Sequence, residues 1–201
     1  ADTFEVLSEA EAACTRAKSL TTQLLTFSKG GAPVKKTASL DEIVRETSRF
    51  ALRGSNVACV CLFATDLANV EADVNQLSQV LHNLLTNAKQ AMPDGGKTTI
   101  EAVPLDARST VPLAPGRYVR LTVTDRGVGI SEDNLGKVFD PYFTTKLNGS
   151  GLGLAACYSI VKAHGGHIGV SSQLKVGTSF TIHLPASAAC VSNTIHLLDT
   201  S

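Results

Sequence analysis

The order of helical and extended segments in this 201-residue chain predicts an α+β fold, a two-layer α/β sandwich in which helices cover one face of a mixed, mostly antiparallel sheet. Helices with one apolar face alternate with strands, in an order that does not fit a doubly wound nucleotide fold. The motif GxxxxGK(S/T) does not occur, which excludes a P-loop. The length allows one full-sized domain plus an appendage.

A long N-terminal helix is predicted over residues 2–29, because apolar residues recur four and three positions apart. The residues of this seam are Val6, Ala10, Ala13, Ala17, Leu20, Leu24 and Phe27. Such a seam packs either against other helices or against the chain's own domain, and the spacing alone leaves both interpretations open. Gly30, Gly31 and Pro33 end the helix.

The sandwich is predicted to begin with an extended segment over 34–38 and a helix. Ser39 and Glu42 form a capping box, which opens a helix that runs to about Arg53. The residues expected to face inward are Ile43, Val44 and Phe50. A strand over 56–63 follows, because this segment is rich in β-branched and small apolar residues.

A second amphipathic helix is predicted from about Asn75 to a turn at 93–96. Its apolar face consists of Leu77, Val80, Leu81, Leu84, Leu85, Ala88 and Met92. Two strands, a glycine-rich region, a third helix and two closing strands follow. Their predicted ranges are 98–103, 118–124, 125–153, 154–163, 167–172 and 178–184, and the tail from 186 shows no clear pattern.

The composition argues against several classes of partner. The chain has 18 lysines and arginines and 18 aspartates and glutamates, so we expect neither nucleic acid nor an anionic membrane surface as a partner. No apolar run approaches the ~20 residues of a membrane span, and no secretory signal is visible. The five cysteines include no CxxC pair, which favours reduced thiols in a cytoplasmic protein; Cys59 and Cys61 are expected on one face of a strand.

A polar stripe on the helix predicted from about Asn75 is the strongest local signal. Asn83 and Asn87 lie four positions apart and therefore on one face, opposite the leucines, and Gln90 extends the stripe. A side-chain amide oxygen can complete the oxygen shell of Mg²⁺. Alone, the pair is a weak signal, because polar stripes on helices are usually solvated.

Two glycine motifs indicate nucleotide chemistry. Asp125 ends an apolar strand and opens the sequence DRGVGI, in which a carboxylate could accept from an adenine amine, although a tight turn explains it as well. The sequence GSGLGL over 149–154 opens a helix, whose free N–H groups suit phosphate oxygens. Between them, the aromatic segment 138–146 could form a mobile lid whose Lys146 reaches a phosphate, or a packed surface loop.

Together, the asparagine helix, the DxGxG motif, the aromatic segment and the GxGxG motif have the order and separations of four known sequence boxes. The chain thereby resembles the nucleotide-binding domain shared by histidine kinases, DNA gyrase, the Hsp90 chaperone and MutL, which has the Bergerat fold. The resemblance covers about residues 34–185, including the sequence GTSF that starts the last strand.

The resemblance implies ATP and Mg²⁺ as cofactors. Asn87 would hold Mg²⁺ with support from Asn83, Asp125 would recognise the adenine amine, and Thr178 would help, through water. Asn83, Asn87 and Lys146 would be the catalytic residues. The further ATP-binding residues would be Gln90, Gly127, Gly129, Ile130, Val138, Phe139, Thr144, Thr145, Gly149, Ser150, Gly151, Leu152, Gly153 and Leu154.

One position separates kinases from hydrolases in this resemblance. Hydrolytic relatives have a glutamate one turn before the magnesium asparagine, where it activates water. Here that residue is Asn83, whose amide cannot take a proton at neutral pH. The resemblance therefore implies a sensor histidine kinase, in which the γ-phosphoryl group passes to a histidine and on to the receiver domain of a response regulator.

The N-terminal segment 15–29 resembles the second helix of the dimerisation and phosphoacceptor hairpin. We therefore expect three parts: a partial hairpin over 1–32 without its acceptor histidine, the catalytic ATP-binding domain over 33–186, and a tail or linker over 187–201. The full-length protein would be a homodimer through the N-terminal helix. Three alternatives stay open: an ATPase of the gyrase or chaperone type, a non-enzymatic binding module, and a serine kinase with this fold.

Overall fold

The computed structural model describes residues 32–107, 113–146 and 149–187. The predicted N-terminal helix over 2–29 and the tail from 188 lie outside these residues. The strands are β1 (Lys36–Ala38), β2 (Val57–Phe63), β3 (Val70–Ala72), β4 (Gly96–Ala107), β5 (Gly116–Asp125), β6 (His167–Gln173) and β7 (Gly177–Pro185). The helices are α1 (Leu40–Ala51), α2 (Val74–Ala91), α3 (Glu132–Leu135) and α4 (Gly153–Ala163).

The main sheet has five strands in the order β2-β4-β5-β7-β6. Only β2 and β4 pair in parallel, and the other three pairs are antiparallel. Strands β1 and β3 form a separate two-stranded sheet. Helices α1, α2 and α4 pack next to one another, and the buried apolar residues form one cluster between them and the main sheet. This architecture confirms the predicted two-layer sandwich.

Helix α2 forms where its apolar spacing predicts it, and all seven residues of its predicted apolar face are buried. The helix begins at Val74 because Asp73 caps it: its Oδ1 accepts from the N–H groups of Asn75 and Gln76 at 3.1 and 3.2 Å. The polar stripe with Asn83 and Asn87 is thereby held on the side of α2 away from the leucines.

Helix α1 begins at the predicted cap, where Ser39 Oγ accepts from the N–H of Glu42. Ile43 and Val44 are buried as expected, but the prediction for Phe50 is wrong, because 73% of this residue is exposed. The buried stripe runs through Val44, Thr47 and Ser48, so Phe50 lies at its margin in the last turn. There its ring lies 6.4 Å from that of His82.

Some elements differ from their predicted extents. Strands β4 and β5 continue on both sides of the predicted ranges, because the two strands pair over ten positions. Strand β3 and helix α3 have three and four residues, too few for a periodic pattern to show in the sequence. In the described part of the chain, none of the helices has the length and apolar character of a membrane span.

Candidate functional site

A buried carboxylate stands at the end of β5. Asp125 is 5% exposed, and its Oδ1 accepts from the N–H of Gly127 at 2.8 Å. Burial raises the pKa of this carboxyl, while hydrogen bonds from the backbone of Gly127 and Thr178 oppose the shift. Thr178, also buried, stands opposite Asp125 in the pairing of β5 with β7. The predicted adenine-reading pair is therefore adjacent in the structure.

The loop after Asp125 is fixed by backbone hydrogen bonds to distant segments. The N–H of Val128 donates to the carbonyl of Ala91 at 3.1 Å, and the carbonyl of Val128 accepts from the N–H of Lys175 at 2.8 Å. Gly129 has a φ of +74°, and a Cβ atom there would lie 2.2 Å from the carbonyl oxygen of Gln173. Only glycine fits this approach between the loop and the β6–β7 turn.

Ser172 is a residue of this site that the sequence analysis missed. Its Oγ accepts from the N–H of Ile130 and donates to the carbonyl of Gly177, both at 2.8 Å, and lies 2.9 Å from Thr178 Oγ1. It thereby ties the loop after Asp125 to the β6–β7 hairpin. A serine in a strand carries no sequence signal for this role, because its partners are set by sheet pairing.

The polar face of α2 meets the other two motifs. Asn83 Nδ2 donates to the carbonyl of Gly153 at 3.1 Å, which fixes the start of α4 against α2. Asn87 Oδ1 accepts from Lys146 Nζ at 2.8 Å, and Gln90 Oε1 accepts from the same ammonium group. The structure thus brings the predicted asparagine helix, the lid lysine and the start of α4 together.

The contact of Lys146 places a positive charge against the polar face of α2. Two amide oxygens, of Asn87 and Gln90, already face a positive charge. Although the residue as a whole is exposed, partial desolvation of the ammonium group lowers the pKa of Lys146, and the charge of Asp125 opposes this shift. Among the described residues, no group of three His, Cys, Asp or Glu side chains is placed to hold a metal ion. A hard cation that keeps most of its shell from water and phosphate fits this donor set, as Mg²⁺ does.

A close backbone contact joins the lid to the glycine-rich sequence before α4. The N–H of Tyr142 donates to the carbonyl of Gly151 at 3.0 Å. Gly151 has a φ of +68°, and a Cβ atom there would lie 2.3 Å from the carbonyl carbon of Tyr142. The polar lid residues predicted to bind ATP are exposed, namely Thr144, Thr145, Lys146, Gly149 and Ser150. Residues 147 and 148 lie outside the described residues.

The apolar residues among the predicted ATP-binding positions are buried or partly buried. Val138 and Leu152 are buried, and Ile130 and Leu154 pack partly buried against the core. The ring of Phe139 lies 5.7 Å from Tyr158 and 6.4 Å from Phe180. Leu152 provides no side-chain cap for helix α4, and its own N–H donates to Ser150 Oγ at 3.3 Å.

The family of the chain follows from a match to a family model. Residues 72–188 match the model described as histidine kinase-, DNA gyrase B- and HSP90-like ATPase. The chain belongs to this family. The matched range includes Asn87, Asp125, the lid and α4, which form the arrangement described above. It corresponds to the ATP-binding domain of histidine kinases.

Curated relatives of the chain are sensor kinases. Over 179 residues, or 85% of this chain, it is 37% identical to the sensor kinase CckA of Brucella abortus. Over 121 residues, or 60% of this chain, it is 43% identical to the sensor histidine kinase ZraS of Escherichia coli K12. The chain spans only 19% and 24% of the lengths of these relatives.

Solved structures show the same fold. The catalytic domain of the histidine kinase ThkA, in a nucleotide-free form, is 31% identical and aligns with a TM-score of 0.61 over 76% of this chain and 95% of that one. The full-length ShkA in complex with AMPPNP aligns with a TM-score of 0.77 over 94% of this chain and 40% of that one. At 23% identity the second comparison concerns the fold alone.

Proposed function

We propose that this chain is the catalytic part of a sensor histidine kinase, which transfers the γ-phosphoryl group of Mg²⁺-bound ATP to a histidine on another helix. The observation that carries the proposal is the pair Asn83 and Asn87 on α2. Hydrolytic members of the family would need a carboxylate one turn before Asn87, and Asn83 instead donates to Gly153. Helix α2 contains no aspartate or glutamate at all.

The base-binding role falls to the buried end of β5. Asp125 would accept from the exocyclic amine of adenine, with Thr178 completing the contact through water. Its carboxylate is already aligned, since Oδ1 accepts from Gly127. The loop with Gly127 and Gly129 would pass under the ring. Ile130 and Val138 would supply apolar walls.

The phosphate-binding role falls to α2, the lid and α4. Asn87 Oδ1 would be the protein ligand of Mg²⁺, with Gln90 beside it; the bound cation neutralises charge on the phosphate oxygens. Lys146 would leave these amides for a phosphate oxygen. Gly149, Gly151 and the first N–H groups of α4 would contact the phosphates. Without a base next to Asn87, water is not activated, so ATP is kept for the histidine.

The wider assignment extends to segments outside the described residues. We propose that residues 1–32 belong to a dimerisation hairpin, that 33–186 form the catalytic domain and that 187–201 form a linker. The partners would be a second copy of the full-length protein and the receiver domain of a response regulator, in the cytoplasm. The names of the sensor-kinase relatives support this extension.

The test is phosphorylation of a separately supplied acceptor hairpin with γ-labelled ATP and Mg²⁺. We expect label on histidine, no steady release of phosphate, and at least about a hundredfold loss of transfer for Asn87→Ala. Asn75→Ala, which changes an exposed asparagine on the same helix, is the matched control and should transfer label normally. Steady phosphate release that Asn87→Ala abolishes would make the chain a hydrolase instead.

A further inference from the structure

Two cysteines lie side by side on β2, the edge strand opposite to β6 in the main sheet. Cys59 Sγ and Cys61 Sγ are 4.0 Å apart, and both are half-buried free thiols. They face α1 because every second residue of a strand points to the same side, and both pack partly against the core. The proposed nucleotide chemistry uses neither of them.

The pair opens into a groove with a positive rim. A groove of about 340 Å³ is lined by both cysteines together with Arg45, Ser48 and Arg49. Cys61 also borders a second groove of about 560 Å³, which Arg45 and Glu101 line as well. Arg45 is held in place, since its guanidinium carbon lies 4.9 Å from the centre of the Phe63 ring and its Nε lies 3.8 Å from Asp41 Oδ2.

The surroundings make the two thiols unequal. The hydrogen bond from Cys59 is the main cause that lowers the pKa of Cys61 to about 6, assisted by Ser48 and the charge of Arg45 against the opposing effect of burial. The same hydrogen bond, followed by burial, raises the pKa of Cys59. The surroundings therefore favour the thiolate at Cys61 over the thiolate at Cys59.

We propose that Cys61 is a modification site, which undergoes thiol–disulfide exchange with a small anionic disulfide whose carboxylates face Arg45 and Arg49. The Cys61 sulfur attacks one sulfur of the small disulfide, and a bond forms between them. The original S–S bond breaks, and its other half leaves as a thiolate that takes a proton from water. The small disulfide is the oxidant, so no further reactant is needed.

The geometry favours a mixed disulfide over the two obvious alternatives. Residues two apart on a strand have Cα atoms about 6.6–6.8 Å apart, the upper end of the range for a disulfide. A bond between Cys59 and Cys61 would therefore distort β2. A metal cation would have only two thiol ligands here, beside two arginines, and the described residues supply no third acidic, thiol or imidazole group.

The experiment uses oxidised glutathione as the probe and the full chain with Cys14→Ser and Cys190→Ser, which removes the two cysteines outside the described residues. Intact mass and peptide mapping follow adduct formation from pH 5 to pH 9. We expect one adduct, on Cys61, with a rate midpoint near 6, and about tenfold faster reaction at pH 6 than in the denatured chain. Cys157, fully buried and with its pKa raised to about 12 by burial, is the internal control and should stay unmodified.

Variants separate the contributions of Cys59 and Arg45 to the pH midpoint of the Cys61 reaction. Cys59→Ala should move the midpoint furthest towards the value of about 8.5 of an ordinary thiol, and Arg45→Gln should move it less. Arg53→Gln, which changes an exposed arginine beyond the end of α1, should leave the midpoint unchanged. A midpoint near 8.5, equal adducts on Cys59, or a loss of two hydrogens without an adduct would each overturn the proposal. None of these readouts involves nucleotide, so the proposed kinase function stands or falls separately.

Discussion

The two halves of the candidate ATP site are built from different kinds of interaction. The half at the end of β5 is buried and held by backbone hydrogen bonds, such as those of Val128 to Ala91 and Lys175. The half formed by the lid is exposed, and its Lys146 side chain donates hydrogen bonds to Asn87 and Gln90 on α2. The first half is preorganised, whereas the second has a contact that must be exchanged.

This difference assigns a different task to each half. A rigid pocket for the base loses little entropy on binding and therefore favours affinity. Under the proposed roles, the contact between Lys146 and Asn87 would have to break before Asn87 binds a metal, so phosphate binding would be coupled to lid movement. Substitutions in the first half should therefore change stability or the affinity for the base. Substitutions in the second half should change only the affinity for the phosphates.

The largest effect is expected for Gly129→Ala in the rigid half. The added Cβ would lie 2.2 Å from the carbonyl oxygen of Gln173, at a φ of +74°. We expect the free energy of unfolding, measured by urea denaturation, to fall by about 3 kcal/mol. Gly136→Ala is the matched control, since nothing lies within 4 Å of its Cβ position, and should change stability by under about 0.5 kcal/mol. Equal losses in both variants would refute a tight contact at Gly129.

Asp125→Asn should separate base affinity from stability. Calorimetry should show about 30-fold weaker ATP binding, or about 2 kcal/mol, because the amide presents a donor to the adenine amine. Stability should not fall. Burial raises the pKa of Asp125 above its value of about 3.9 in the unfolded chain. Ionisation of Asp125 therefore lowers the free energy of unfolding as the pH rises from about 3.9 through the raised pKa. The amide of Asn does not ionise and has no such cost. Unchanged ATP affinity would show that the base binds elsewhere.

Lys146→Met tests the exposed half. We expect ATP affinity to fall about fivefold, or about 1 kcal/mol, because a single exposed charge contributes little. Adenosine, which lacks phosphates, should bind as it does to the unchanged protein. Lys137→Met, at another exposed lysine near the lid, is the control for loss of one positive charge. An equal loss for adenosine would mean that Lys146 supports the rigid half.

The elements of the site were more predictable than the contacts between them. The apolar face of α2 and the strand that ends at Asp125 follow from local spacing, and the structure places both as expected. The contacts that tie them together do not follow from it. Ser172 meets Ile130 across 42 positions, and Lys146 meets Asn87 across 59, so both contacts depend on how the sheet and the lid fold back.

His164 makes another contact that local spacing in the sequence does not predict, here between α4 and α2. The sequence assigns this histidine no role, yet it is buried and joins the end of α4 to the start of α2. Its Nδ1–H donates to the carbonyl of Ile160 at 2.8 Å, and its Nε2 accepts from the N–H of Asp73 at 3.0 Å. Because Nε2 must accept, the ring has to be neutral. Helix spacing alone gives no signal for such a bridge.

The smallest expected effect is a pH dependence of the free energy of unfolding that comes from His164. Burial and the charge of Lys35 lower the pKa of His164, while its bond to Ile160 and the charge of Asp73 oppose the shift. The unfolded chain therefore binds the proton first, and stability should fall as the pH drops below about 6.5, by about 1 kcal/mol or less from this residue. His164→Gln, which can keep both hydrogen bonds but does not titrate, should reduce the slope in urea denaturation between pH 7.5 and pH 5.5. His167 and His183, whose pKa values burial also lowers, account for the slope that persists.

An unchanged slope in His164→Gln would mean that the bridge between α2 and α4 tolerates a charged ring. The order of the rigid half would then depend on the backbone contacts of the loop after Asp125 and on the hydrogen bonds of Ser172.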